Sequence, residues 1–155
     1  MSVARGTPLQ VSKTVEVVTH SPDETLALGR ALARELQPPC LVLLEGELGS
    51  GKTTLTKGIV AGLGAAREEE VTSPSFTLVH EYGCEPKVYH VDLYRIESPR
   101  DLETLGLDDL WSQQATVIVE WGEKLGDSYL GPQVRIQLEC LAGEDRRITV
   151  ERLDA

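Results

Sequence analysis

The eight residues Gly46-Glu47-Leu48-Gly49-Ser50-Gly51-Lys52-Thr53 restrict what this chain can fold into more than any other stretch. They fit G-x-x-x-x-G-K-[ST], and they stand between an apolar run, residues 40–44, and a stretch of helical character that ends at Gly64. A loop of this kind works in one setting. A buried strand must deliver the chain to it and a helix must leave it, so that backbone N–H groups freed by the glycines converge beside a positive helix terminus. That setting is an α/β layered domain, and what the loop would hold is an anion, above all a phosphate. Lys52 can reach β- and γ-phosphates, Thr53 can bind the Mg²⁺ that bridges them, and the Thr54 hydroxyl can meet the α-phosphate. Gly49, Ser50 and Gly51 supply the backbone of the cradle.

The rest of the chain supplies the other elements of such a domain. Residues 14–20 alternate as a strand does. Ser21-Pro22-Asp23-Glu24 then opens a helix, with Ser21 at the N-cap, Pro22 in the first helical position and Glu24 where a capping box needs its carboxylate. Leu28, Leu32 and Leu36 make its apolar stripe, and Pro38-Pro39 stop it. Residues 75–83 and 87–95 are strand-like runs joined by Gly83-Cys84-Glu85-Pro86, most simply a hairpin. Ser98-Pro99 repeats the first helix start, residues 115–120 are a second buried strand, and 133–153 alternate on both sides of Ala142-Gly143-Glu144-Asp145 as a terminal hairpin. These elements predict one P-loop NTPase-like domain over residues 1–155, three-layered, with a mixed central sheet and antiparallel hairpin additions.

A phosphate loop needs an acid at a strand end to hold the metal. Asp92 and Glu120 both qualify, and the spacing does not choose between them. No N-K-x-D stands anywhere to read guanine and no D-x-x-G follows the first hairpin, so ATP with Mg²⁺ is the expected ligand. His80, Cys84 and His90 lie close together, but their spacing matches no tetrahedral zinc set, and they read as packing or hydrogen-bonding residues. Trp121 fits either a core or a water-excluding position beside Glu120.

Charge limits the partners. Twenty-five acidic against fifteen basic residues leave −10, a field that opposes stable unaided binding of nucleic acid. Three cysteines, far apart and outside any CxxC arrangement, point to reduced thiols in the cytoplasm. The longest apolar run is about five residues against the ~20 that cross a bilayer, and the opening residues lack the apolar core of a secretory leader, so no membrane association is expected.

Four segments, GELGSGKTTL, SPSFTLVHEY, VYHVDLYRI and VEWGEKL, in this order and at short spacings, resemble the bacterial tRNA threonylcarbamoyladenosine biosynthesis ATPases called TsaE. The resemblance covers nearly the whole chain from about residue 15. The P-loop is generic, whereas S-P-[ST]-[FY]-T-L followed by H-x-D-x-Y-R and V-E-W is far more specific. The resemblance implies a small α/β ATPase, weak by itself, that works with TsaD and TsaB on the adenosine beside the anticodon. The tRNA would then be met mainly through those partners. It implies nucleotide and Mg²⁺ roles for Lys52 and Thr53, a metal role for Glu120, a hydrolytic role for Asp92 and a switch-like loop at residues 73–77. It also places Thr25 near the nucleotide base. Ser75 stands where the family commonly has threonine, and Gly122 replaces the usual proline, which predicts a looser turn after Glu120. Two rival readings are a small-molecule kinase, for which no lid-length insertion is evident, and a nucleotide-gated binding module without turnover.

Overall fold

The computed structural model describes residues 10–74, 77–128 and 132–154. Its centre is a seven-stranded sheet in the order β1-β7-β6-β2-β5-β4-β3. Here β1 is Gln10–Thr19, β2 Cys40–Glu45, β3 Val79–Tyr82, β4 Lys87–Asp92, β5 Ala115–Glu120, β6 Gln133–Cys140 and β7 Arg146–Asp154. The middle strands β6, β2, β5 and β4 run parallel, while β3 and β7 pair antiparallel at the two flanks. Both expected hairpins form, β3–β4 and β6–β7. The first strand begins earlier than its alternation predicts, at Gln10, and closes the sheet by pairing antiparallel with β7.

Each face of the parallel centre is covered. Val42, Leu44, Ile118 and Ile136 pack with Leu55 and Ile59 of helix α2 (Lys52–Leu63), and Ala33 and Leu36 join from the end of helix α1 (Pro22–Leu32). On the opposite face Leu41, Leu43, Val117 and Val119 meet Leu102 and Leu107, from the short helices α3 (Pro99–Thr104) and α4 (Leu107–Trp111). The helical stretch that starts at Ser98 is broken in two because Gly106 adopts the left-handed conformation, φ 65°. The break lets Leu102 and Leu107 both turn into the core.

Local capping chemistry works close to expectation. Ser21 Oγ accepts the Glu24 amide at 3.1 Å. The Glu24 carboxylate reaches back one residue further than a capping box requires, to the His20 amide at 2.8 Å. Leu28, Leu32 and Leu36 pack on the core as the stripe predicts, with smaller residues set deeper beside the first two. Thr25, Gly29, Ala33 and Leu36 face inward, and Leu28 and Leu32 flank them, partly buried.

The reason lies in how closely α1 and α2 approach. A Cβ at Gly29 would sit 2.5 Å from the Leu55 carbonyl oxygen, and one at Gly58 would strike the carbonyl oxygen of Leu26. Only glycines permit this backbone contact, and through it α1 fixes the helix that carries the phosphate loop. Gly58→Ala gains ~1 kcal/mol of helix propensity, but a methyl forced against backbone on two sides costs more. A net loss of about 1–2 kcal/mol is expected, read as a lower urea midpoint at unchanged slope. A midpoint equal to or above that of the parent chain would show the contact to be loose.

Candidate functional site

Strand β2 delivers the chain at Glu45, and the loop returns it to α2 at Lys52. Gly51 occupies the N-cap with φ 102°, a conformation side chains oppose, and no side chain caps the helix. The first turn of α2 also carries no acid. Its N–H groups and the positive end of its dipole therefore face the loop without local compensation, which suits an anion. The hydroxyl of Ser50 is buried inside the loop with no hydrogen-bond partner. Outside it, the Gly49 carbonyl accepts from Arg146 Nη2 at 3.1 Å, so the terminal hairpin braces the loop from behind.

Lys52 folds back over the loop. Its ammonium donates to the carbonyls of Gly46 at 2.5 Å and Glu47 at 2.9 Å, and lies 4.2 Å from the centre of the Trp121 ring. Burial pulls this amine below the ordinary lysine value, while the charges of Glu120, Glu123 and Asp92 oppose that shift. Trp121 reaches it because its backbone is left-handed, φ 61°, an unusual state for a bulky residue. The turn is not loose at Gly122. That residue is buried, and a Cβ there would stand 2.7 Å from Leu43 Cβ.

The two acids stand side by side. Asp92 and Glu120 are register partners at the C-terminal ends of parallel strands β4 and β5. Alternation along β4 and β5 turns both toward the α2 side of the sheet, with Val88, His90 and Ile118. Thr53 Oγ1 lies 3.2 and 3.3 Å from the two oxygens of Glu120. Asp92 accepts from Ser73 Oγ at 3.2 Å and from the Tyr94 amide at 2.9 Å. Two carboxylates and a hydroxyl offer oxygen only, the donor set for Mg²⁺ completed by phosphates.

A cleft of about 430 Å³ brings together Gly49, Gly51, Lys52, Thr53, Thr54, Asp92 and Glu120, with Trp121 at its wall. Thr25 is not in this cleft. It borders an adjoining one of about 120 Å³, with Thr54, Glu144 and Arg146, and its buried hydroxyl pairs with that of Thr19 at 2.7 Å. Of the loop at residues 73–77, Ser75 and Phe76 lie outside the described residues. Ser73 meets Asp92, and the Leu78 amide bonds back to Pro74, so the loop's two ends converge on β4.

Sequence reasoning missed His90 as a site residue. Its Nε2 is 2.5 Å from Glu120 Oε2, and the ring is fully buried. The signal was available: His90 precedes Asp92 by two and so shares its face of the strand. His80, opposite His90 on β3, pairs instead with the Tyr82 hydroxyl. No helix among the described residues is long and apolar enough to cross a membrane.

The family model described as "Threonylcarbamoyl adenosine biosynthesis protein TsaE" matches residues 19–149. A tRNA threonylcarbamoyladenosine biosynthesis protein TsaE of Bacillus subtilis is 42% identical over 132 residues, 83% of this chain and 79% of its own length. That of Treponema pallidum is 36% identical over 133 residues, 86% of this chain and 97% of its own. The crystal structure of Bacillus subtilis YdiB superposes with a TM-score of 0.74 at 31% identity, over 92% of this chain and 87% of that one. The matched span takes in the phosphate loop, both strand-end acids and Trp121, and the chain belongs to the TsaE family, proteins of tRNA threonylcarbamoyladenosine biosynthesis.

Proposed function

We propose that this chain is a Mg²⁺-dependent, weak ATPase that supports threonylcarbamoylation of the adenosine next to the tRNA anticodon, acting in the cytoplasm with TsaD- and TsaB-like partners. One observation carries the reading: the loop after β2 and the ends of β5 and β4 bring Lys52, the Thr53–Glu120 pair and Asp92 to one cleft. ATP is the nucleotide favoured by the absence of a guanine-reading motif.

In this reading the loop amides and the α2 terminus bind the phosphates. Lys52 exchanges its contacts with Gly46 and Glu47 for β- and γ-phosphate oxygens, guided by the Trp121 face. Thr53 and Glu120 would hold Mg²⁺, and Asp92, steadied by Ser73 and the Tyr94 amide, orients the attacking water. The metal supplies neutralisation of charge on the transferring phosphoryl group. Thr25 lines the adjoining cleft, which in this reading would take the base, as the family resemblance implies.

The charge of −10 supports the reading that tRNA is contacted mainly by the partners. Multiple-turnover tRNA modification by TsaD- and TsaB-like proteins, with and without this chain, tests the proposal. Modification should continue past the first turnover only when the chain and ATP are present; equal turnover without it would refute the role. Ser73 reaches Asp92 from the switch-like loop, so nucleotide state should also alter that loop, the segment proposed to dock the partners. Association with the partners is expected to be stronger with a slow ATP analogue than with ADP by about 1–3 kcal/mol, roughly 5–150-fold. Sedimentation of the mixtures checks this, and equal association under all nucleotides would remove the switch.

A further inference from the structure

We infer that His90 is a positioning residue, which holds one oxygen of the Glu120 carboxylate so that the other is presented beside Thr53 to the divalent cation. The inference rests on the nucleotide reading above and extends it to a residue outside the cleft lining.

The strand β4 carries His90 into the sheet interior, between Val88 and Asp92 on the α2 side, with no exposed surface. Apolar packing does not account for an imidazole there. Its Nδ1 is buried without a hydrogen-bond partner, and an unpaired buried polar atom costs on the order of 1–3 kcal/mol. A valine or leucine would carry no such cost. The compensating contact is the short one, Nε2 to Glu120 Oε2 at 2.5 Å. A carboxylate oxygen accepts, so Nε2 is the donor in this contact.

The geometry on the other side of Glu120 explains why a second partner is needed. Thr53 Oγ1 is 3.2 Å from one oxygen and 3.3 Å from the other, so Thr53 by itself does not distinguish them. His90 does, because it engages Oε2 alone. With Oε2 held, rotation of the carboxylate about its terminal bond is stopped and Oε1 keeps its place beside Thr53. Asp92, the neighbouring acid, has its own fixing contacts from Ser73 and the Tyr94 amide, so the two carboxylates are oriented separately.

The test is a titration of Mg²⁺ into the full chain saturated with ADP, followed by calorimetry, beside ADP binding in EDTA. Three variants are compared. His90→Leu and His90→Asn remove the Nε2 donor, and His90→Gln restores a donor at nearly the same reach. His90→Leu and His90→Asn are expected to raise the half-saturating Mg²⁺ concentration about tenfold or more, with metal-free ADP affinity unchanged. His90→Gln should recover most of the Mg²⁺ response. His90→Leu satisfies its apolar neighbours and carries the comparison alone should His90→Asn fail to fold. An unchanged Mg²⁺ response in His90→Leu overturns the inference, as does His90→Gln behaving like His90→Leu, or an equal loss of ADP binding in EDTA. In these cases the parent chain still binds Mg·ADP and the nucleotide reading stands. If the parent chain binds no ADP with or without Mg²⁺, that reading falls and the inference with it.

Discussion

Replacing Lys52 with alanine is expected to lower ATP turnover about 10²–10³-fold, the loss typical when one preorganised donor is taken from developing charge. The size follows from where the amine sits. Lys52 is only 5% exposed, so its charge acts through little water and is poorly replaced by solvent or salt. Its ammonium also stands over the Trp121 ring, so Lys52→Met, which keeps an unbranched stem of similar length, separates lost charge from lost side-chain bulk. Both variants should lose turnover, and Lys52→Met should keep more of the parent stability. The emission of Trp121 should shift in both, since the cation 4.2 Å from the ring centre is gone. Unchanged ATP turnover in either folded variant would remove Lys52 from the site and leave the loop without its principal cation.

Local features were legible in the chain because their physics is local. The glycine–lysine–threonine spacing named the loop, Ser21 and Ser98 named two helix starts, and both caps accept the amide three residues on. The glycine turns likewise marked both hairpins. What stayed hidden depends on pairing across the sheet. Nothing in the first strand says that it closes on β7, since alternation sets a strand's faces and not its neighbour. The α1 stripe tells only part of its packing: Leu28, Leu32 and Leu36 do pack on the core, but the tight helix contact is made by Gly29 and Gly58. Gly122 in place of proline suggests a loose turn, but its missing side chain is what lets it fit closely on Leu43. At the site, each acid was visible at the end of its strand, but that Asp92 and Glu120 are register partners is a fact of the parallel β4–β5 pair. His90 was visible only as a histidine until that same pairing set it against Glu120.

That pairing is also why the two acids need to be tested against each other. Glu120→Gln preserves shape and removes one charge, and the fold is expected to survive because an amide can still meet both Thr53 and His90. Affinity for Mg·ATP should fall about tenfold or more, since a charged contact of ~1.5–3 kcal/mol is lost, while ATP binding in EDTA should be unaffected or slightly improved. The improvement has a plain cause: without metal, a buried carboxylate beside the phosphates repels them. Asp92→Asn should behave differently. Asp92 is held by Ser73 Oγ and the Tyr94 amide, while Glu120 is the acid that touches Thr53. Loss of its charge should therefore depress the hydrolytic step more than Mg·ATP affinity. Calorimetry with and without Mg²⁺, paired with single-turnover hydrolysis, separates the two effects. Normal Mg·ATP affinity in Glu120→Gln together with a lowered affinity in Asp92→Asn would exchange the roles, making the acid of β4 the metal ligand and that of β5 its neighbour.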